Sequence, residues 1–256
     1  MLSDDQLFDW IGEDTAFLAD ISAGHLDEPV TSCPEWTIRD LVAHVGGAQS
    51  GWYPYNLERQ DIANPDPIAA FSAALEPPIG NDPATIQYLR DATATMLEVG
   101  RRIDLETPVW AFGPTAPARY WILRAVTELS VHVWDAASSL GVPYRLSPER
   151  AAVSIDETVR GMWTLKSVIT TDLPTPPSQP ISIAATDSGA RWVLHTDGAG
   201  NVVVNPPDVA PATTISAEGM DLVLWIWGRL PTADMNITGD TAVADGWNLL
   251  QVMQAF

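Results

Sequence analysis

Two segments decide the fold of the N-terminal half of the chain: Thr37–Gly47, TIRDLVAHVGG, and Arg124–Ala136, RAVTELSVHVWDA. Both carry apolar residues at helical spacing, which predicts helices with a buried face. The first contains His44, and the second contains Glu128 and His132 four residues apart. Burial of such groups without partners is costly, so their presence in apolar helices needs an explanation. We expect the two helices to bring these three side chains to one point.

Helices are predicted throughout residues 1–141. The first begins at the N-cap Ser3, a third begins at Pro83, and a fourth runs from about Pro117 to Leu140. A stretch rich in proline and glycine, Ile62–Pro83, is predicted to form a long loop between the second and third helices. Four helices with one long crossover connection indicate a helical bundle.

The second of these helices has a clear start. Thr37 is predicted as its N-cap and Asp40 as the third helical residue, an acidic variant of the capping box. Its apolar stripe runs from Leu41 to Tyr55, and His44 lies on the edge of that stripe. The pattern therefore predicts a helix with one apolar face whose edge presents an imidazole.

The pattern changes from residue 142 onward, which predicts a separate α+β domain over 142–256. A proline-rich linker, TDLPTPPSQP at 171–180, precedes the strand-like segments ISIAAT, RWVLHT and NVVVN, which are joined by turn sequences. These predict an antiparallel meander. A further strand, ATTISA at 212–217, leads into helices. The predicted fold class is thus a helical bundle followed by a small α+β domain with a mostly antiparallel sheet.

Charge and composition exclude several classes of function. The 256 residues include 33 acidic and 13 basic ones, for a net charge of -20, which repels phosphate backbones and anionic lipid headgroups. Nucleic-acid and membrane partners are therefore not expected. The single cysteine rules out an internal disulfide framework, and the N-terminal MLSDDQLFDW lacks the basic segment of a secretion signal. We expect a cytoplasmic enzyme or carrier.

A divalent metal site explains the buried ionisable groups. Glu128 and His132, at i and i+4, lie on the same face of a helix, and His44 from a facing helix would complete three ligands with an open fourth position. Zn²⁺ fits this donor set best, although Ni²⁺, Fe²⁺ and Mn²⁺ would also be accepted. In the alternative, Glu128 pairs with His132 or with Arg124, and His44 is an ordinary hydrogen-bonded histidine.

Two further residues have alternative interpretations. Asp135 is predicted to accept an imidazole N–H, or otherwise to be a charge on the helix surface. Cys33 precedes a helix N-terminus that could activate it as a nucleophile, but packing under the start of that helix is the favoured interpretation.

The sequence resembles the mycothiol-dependent maleylpyruvate isomerase family. Thr31–Gly47, TSCPEWTIRDLVAHVGG, is similar to the family's CPGW-T-x-R-D-L-x-x-H signature, and Glu128–Gly141, ELSVHVWDAASSLG, to its second metal motif. The segment 221–240, DLVLWIWGRLPTADMNITGD, resembles its C-terminal motif. The resemblance implies a DinB-like four-helix bundle over 1–141 and a domain similar to sterol carrier protein 2 over 142–256.

The resemblance also implies an activity. His44, Glu128 and His132 would bind a divalent ion, usually zinc, with an open position for the thiol cofactor mycothiol. Arg229 would reach toward an anionic small-molecule substrate or the thiolate; its alternative role is to cap the end of its own helix. Glu35 stands where the family often has glycine, and we expect its acidic side chain to alter the approach of ligands to the site.

Three functions stay open at this point. The first is an enzyme that activates a low-molecular-weight thiol on a metal for transfer or isomerisation. The second is a non-catalytic carrier or sensor that binds an apolar ligand in an interdomain cavity. The third is a hydrolase that uses metal-bound water. Stoichiometric metal would argue against the carrier, and dependence on a thiol would argue against the hydrolase.

Overall fold

The computed structural model describes residues 2–59, 74–78, 80–111, 115–163 and 176–248. The chain divides into two compact units, Met1–Tyr144 and Arg145–Phe256. Of the predicted loop Ile62–Pro83, most residues lie outside the described ranges. Within those ranges, none of the helices has the length and apolar character needed to cross a bilayer.

The first unit is built mainly from helices. Its elements are α1 (Asp4–Ser22), α2 (Ile38–Gly47), a π-helical turn (Ala48–Trp52), α3 (Tyr53–Glu58), α4 (Asp82–Arg102), the short paired strands β1 (Pro108–Trp110) and β2 (Thr115–Pro117), and α5 (Arg119–Ser139). The predicted N-cap of α1 is confirmed, because the hydroxyl of Ser3 accepts a hydrogen bond from the backbone N–H of Gln6 at 3.2 Å.

The long helices of this unit pack against one another through their apolar faces. Helix α1 packs on α4 and α5, and α2 packs on the same two helices. On α1 the fully buried side chains Leu7, Ile11 and Leu18 recur at helical spacing, as the sequence predicted. Helices α2 and α4 approach closely at Gly46, where a Cβ atom would overlap the ring of Tyr88. Helices α2 and α4 thereby lie side by side.

Helix α2 starts as predicted and leads directly into the π-helical turn. The capping box is confirmed: the Thr37 hydroxyl accepts from the backbone N–H of Asp40, and the Asp40 carboxylate accepts from that of Thr37. The helical backbone then continues past Gly47 to Glu58, but its hydrogen-bond pattern changes to that of a π-helix over Ala48–Trp52. Pro54, in the first turn of α3, has no N–H to donate in the α-helical pattern.

The second unit combines helices with a sheet. Its elements are α6 (Pro148–Glu157), a second π-helical turn (Thr158–Met162), β3 (Ile181–Ala185), β4 (Arg191–Thr196), β5 (Val202–Val204), β6 (Thr213–Ala217), α7 (Gly219–Ile226), β7 (Asn236–Thr238) and α8 (Thr241–Asn248). Helix α7 packs against α6. The predicted linker 171–180 lies partly outside the described residues, and the chain beyond Asn248 lies entirely outside them.

Among the described residues, five strands form one sheet in the order β5-β4-β3-β6-β7. The predicted meander β3-β4-β5 is confirmed, with antiparallel partners such as Ile181 and Leu194. Strand β6 pairs with β3 in parallel, with Ile183 opposite Ile215, and β7 returns antiparallel to β6. The sheet is therefore mostly antiparallel, with one parallel pair at its centre.

Candidate metal centre

Helices α2 and α5 bring the three predicted ligands together. The Nε2 atom of His44 lies 3.1 Å from Oε1 of Glu128, and Nε2 of His132 lies 4.0 Å from the same oxygen. One donor atom from each residue falls within 4.8 Å of the other two. The side chains of His44 and Glu128 keep 22% and 12% of their surface exposed, so the cluster is open on one side.

These separations suit a common cation. Two ligand atoms that each lie about 2.0–2.1 Å from a tetrahedral ion are roughly 3.3 Å apart. The 3.1 and 4.0 Å separations between the imidazole nitrogens and Glu128 Oε1 lie on either side of that value. Two nitrogens and one carboxylate oxygen are also a donor set that zinc accepts. The residues present therefore fit a divalent ion.

Asp135 fixes the orientation of His132. Its carboxylate is fully buried, and Oδ2 lies 3.1 Å from Nδ1 of His132. The other oxygen accepts a hydrogen bond from the hydroxyl of Ser32 at 2.5 Å. Because a carboxylate can only accept here, the ring donates from Nδ1, which leaves the Nε2 lone pair directed toward Glu128. The predicted imidazole acceptor is thus observed as a hydrogen-bond partner.

Glu128 is held ionised by its surroundings. Burial alone would raise the pKa of its carboxyl group, but the hydrogen bond with His44 and the charge of Arg124 are the main effects that lower it, and the lowering prevails. The pKa of Glu128 therefore lies well below its ordinary value. The partners that the alternative interpretation named, Arg124 and His132, are both within reach, at 3.6 and 4.0 Å. An ionised carboxylate is the form that a cation requires.

His132 is correspondingly kept neutral. Burial lowers the pKa of its imidazole, and the nearby His44 lowers it further, while Asp135 and Glu128 act in the opposite direction. The net shift is downward. A neutral imidazole with a lone pair on Nε2 is the form that coordinates metals.

An aromatic side chain covers one side of the cluster. The ring of Trp36 lies 4.9 Å from that of His44 and 5.9 Å from that of His132, measured between centroids. A small pocket adjoins the cluster; it is lined by Val45, Ala48, Gln49, Tyr53, Ala125, Glu128, Leu129 and His132. The cluster is therefore in contact with an indole ring and with a mostly apolar pocket.

Sequence reasoning missed Tyr53. Its hydroxyl donates a hydrogen bond to Oε2 of Glu128 at 2.5 Å. Tyr53 lies nine positions after His44, so a regular helix of about 3.6 residues per turn would place the two on opposite faces. The π-helical turn Ala48–Trp52 changes that phase, and both side chains reach one carboxylate. Pro54 was the available signal of an irregular helix.

The remaining candidates lie in different surroundings. Cys33 is half-buried, with Sγ 4.0 Å from Oδ2 of Asp135, as a residue packed near the start of α2. Glu35 is exposed. Arg229 belongs to the second unit, just after α7, where its Nη1 donates to the backbone oxygen of Trp227 at 2.9 Å. That contact is the helix-end role that was the alternative for Arg229.

Comparison with known families decides the relationship of the chain. Residues 11–137 match the model of the mycothiol maleylpyruvate isomerase N-terminal domain, and residues 166–246 match that of the C-terminal domain of the same family. The chain belongs to the mycothiol-dependent maleylpyruvate isomerase family. The predicted family relationship is confirmed across both units.

The chain is also similar to two curated relatives and to two solved structures. Two uncharacterised proteins from two strains of Mycobacterium tuberculosis are each 28% identical over 142 residues, covering 53% of this chain and 66% of their own length. Two crystal structures of mycothiol-dependent maleylpyruvate isomerase, one of a mutant, have TM-scores of 0.61 and 0.58. They share 16% and 18% identity and cover 93% and 90% of both chains. At that identity the likeness is one of fold.

Proposed function

We propose that this member of the mycothiol-dependent maleylpyruvate isomerase family is a metal-dependent enzyme. It activates a low-molecular-weight thiol, mycothiol, for isomerisation of a small electrophilic substrate or for transfer of the sulfur to it. The observation that carries the proposal is the convergence of His44, Glu128 and His132 from two helices within 4.8 Å. Family membership supplies the thiol and the reaction class.

The three side chains would hold the ion through two nitrogens and one oxygen, and zinc is the ion we propose. When bound, a divalent ion supplies a positive charge that lowers the pKa of a thiol and favours the thiolate at neutral pH. This explains how a chain whose cysteine is not used as a nucleophile can carry out sulfur chemistry.

The surrounding residues prepare the site for that role. Asp135 holds His132 in the tautomer whose Nε2 is free, and Ser32 in turn donates to Asp135. Trp36 shields the imidazoles on one side, and a less hydrated site strengthens electrostatic interactions. These contacts predetermine the geometry before any ligand arrives, which is what an efficient catalytic site needs.

We also propose that Arg229 interacts with the anionic part of the substrate or with the thiolate. Its guanidinium group carries a permanent positive charge and several N–H donors suited to a carboxylate. Replacement Arg229→Lys is expected to raise KM for an anionic substrate while the metal content stays unchanged. An unchanged KM in Arg229→Lys and Arg229→Gln would assign the residue to helix capping alone.

The fold names implied by the resemblance are part of the proposal. We assign residues 1–141 to a DinB-like four-helix bundle and residues 142–256 to a domain similar to sterol carrier protein 2. The mutual packing of α1, α2, α4 and α5 supports the first assignment. The mostly antiparallel sheet with α7 and α8 supports the second.

A thiol-dependence assay tests the proposed function. Purified protein is stripped with a chelator, reloaded separately with zinc, nickel, iron(II) or manganese, and assayed on maleylpyruvate and other small electrophiles as mycothiol is titrated. We expect turnover only when both a metal and mycothiol are present. Turnover without the thiol would favour the metal-water hydrolase, and binding of an apolar ligand by a metal-free, inactive protein would favour the carrier.

A further inference from the structure

The two oxygens of Glu128 have different partners. Oε1 faces the imidazoles, at 3.1 Å from Nε2 of His44 and 4.0 Å from Nε2 of His132. Oε2 faces away from them: it accepts the hydroxyl of Tyr53 at 2.5 Å and lies 3.6 Å from Nη2 of Arg124. One carboxylate thus has one oxygen directed to the candidate metal centre and one directed to the protein.

The partners of Oε2 are fixed in place. Tyr53 is only 2% exposed, and the centroid of its ring lies 6.2 Å from that of Trp121. Arg124 is also 2% exposed and lies one helical turn before Glu128 on α5. A hydrogen bond from a hydroxyl to an ionised carboxylate is among the stronger ones, and burial keeps water from replacing it. The protein therefore holds Oε2 with one buried hydroxyl donor and with the charge of a buried guanidinium group.

This arrangement bears on the number of free coordination positions. A carboxylate binds a cation through one oxygen or through both, and the two-oxygen mode occupies a further position. A catalytic site needs such a position for its exogenous ligand. A donor that holds the second oxygen prevents Glu128 from occupying that position.

We propose that Tyr53 is a positioning residue which, with Arg124, restricts Glu128 to one oxygen and so keeps a coordination position free for the thiol. This inference rests on the proposed function, because it presupposes a metal at His44, Glu128 and His132. In this interpretation the π-helical turn before Tyr53 has a functional role, because it brings the Tyr53 hydroxyl to the carboxylate of Glu128.

The variant Tyr53→Phe tests this inference, with cobalt(II) as a spectroscopic probe in place of zinc. In the variant we expect Oε2 to turn toward the ion. The visible absorption of bound cobalt should weaken, as it does when a four-coordinate ion gains a ligand. Cobalt affinity, measured by competition with a chelator, should stay the same or increase. Affinity for mycothiol should fall by about 10-fold or more.

Tyr144→Phe is the matched control. The hydroxyl of Tyr144 donates to another buried carboxylate, Asp14, at 2.8 and 2.9 Å to its two oxygens. This control should keep the cobalt spectrum and the mycothiol affinity of the wild type. Arg124→Met removes the other partner of Oε2 and should change the spectrum in the same direction as Tyr53→Phe, which covers the case in which Tyr53→Phe does not fold.

The outcomes are distinguishable. A wild-type protein that binds no cobalt contradicts the proposed function itself. A wild-type protein that binds cobalt, together with variants at Tyr53 and Arg124 that keep its spectrum and mycothiol affinity, overturns only the present inference. Loss of cobalt affinity in Tyr53→Phe with an unchanged spectral shape would also overturn it, because Tyr53 would then merely support the ligand.

Discussion

His132 and Asp135 lie one turn apart on α5, and Nδ1 of the imidazole is 3.1 Å from Oδ2 of the fully buried carboxylate. The pair determines which ring nitrogen carries the proton and which faces Glu128. Asp135, which is outside the proposed ligand set, thereby controls the tautomer of His132, which belongs to that set. The relationship extends to Ser32, which donates to the same carboxylate from the loop before α2.

The replacement Asp135→Asn tests this control. It keeps the size of the side chain but removes the charge that holds the Nδ1 proton, so we expect metal affinity to fall by about 10- to 100-fold. Competition with a chelator measures the change. Asp14→Asn, at a buried carboxylate that contacts Tyr144 and Ser130, is the control and should leave metal affinity unaltered. Equal affinities in Asp135→Asn and the wild type would refute the role of Asp135.

The ionisation of Glu128 makes a pH-dependent contribution to stability in the metal-free protein. Despite burial, the hydrogen bond with His44 and the charge of Arg124 lower its pKa below the ordinary 4.5. The unfolded state therefore binds more protons near that pH, so the stabilisation is present above about pH 4.5 and is lost as the pH falls below it.

Glu128→Gln should remove this contribution. Urea denaturation in the presence of a chelator, repeated between about pH 6 and pH 3, is expected to give a smaller loss of unfolding free energy for the variant than for the wild type. Parallel curves for the two proteins would show that the carboxyl group titrates normally in the folded state.

Alanine substitutions at the adjacent residues Gly46 and Gly47 are expected to change the unfolding free energy in opposite directions. A Cβ atom added at Gly46 would overlap the ring of Tyr88. A Cβ atom added at Gly47 would lie 3.9 Å from the hydroxyl oxygen of Tyr88, which is ordinary van der Waals contact. We expect Gly46→Ala to lower the unfolding free energy by about 1–3 kcal/mol through overpacking. Gly47→Ala should raise it by about 0.5–1 kcal/mol through helix propensity. Denaturant titration of both variants measures the difference, and a destabilised Gly47→Ala would contradict the packing described.

Much of the fold follows from local sequence patterns. The caps at Ser3 and Thr37, the helices that carry His44 and Glu128, and the meander of β3, β4 and β5 were predicted because each depends on neighbouring residues. The convergence of the three candidate ligands was also expected, since ionisable groups in apolar helical faces need partners. Their binding of an ion is the proposal built on that geometry.

Other features depend on contacts between residues that are distant in the sequence, so the local sequence could not predict them. The parallel pairing of β3 with β6 joins segments about thirty residues apart, and alternation of apolar residues does not specify strand direction. Tyr53 reaches Glu128 only because a π-helical turn changes the helix phase. The hydrogen bond from Ser32 to Asp135 spans 103 positions, and nothing in either local sequence indicates it.

Metal content measured by plasma mass spectrometry tests the central claim most directly. After loading with zinc and exhaustive dialysis, the wild-type protein is expected to retain about one ion per chain. His44→Ala and His132→Ala should each retain little or none, while circular dichroism shows helical content close to that of the wild type. Full zinc occupancy in either variant, or none in the wild type, would contradict the account.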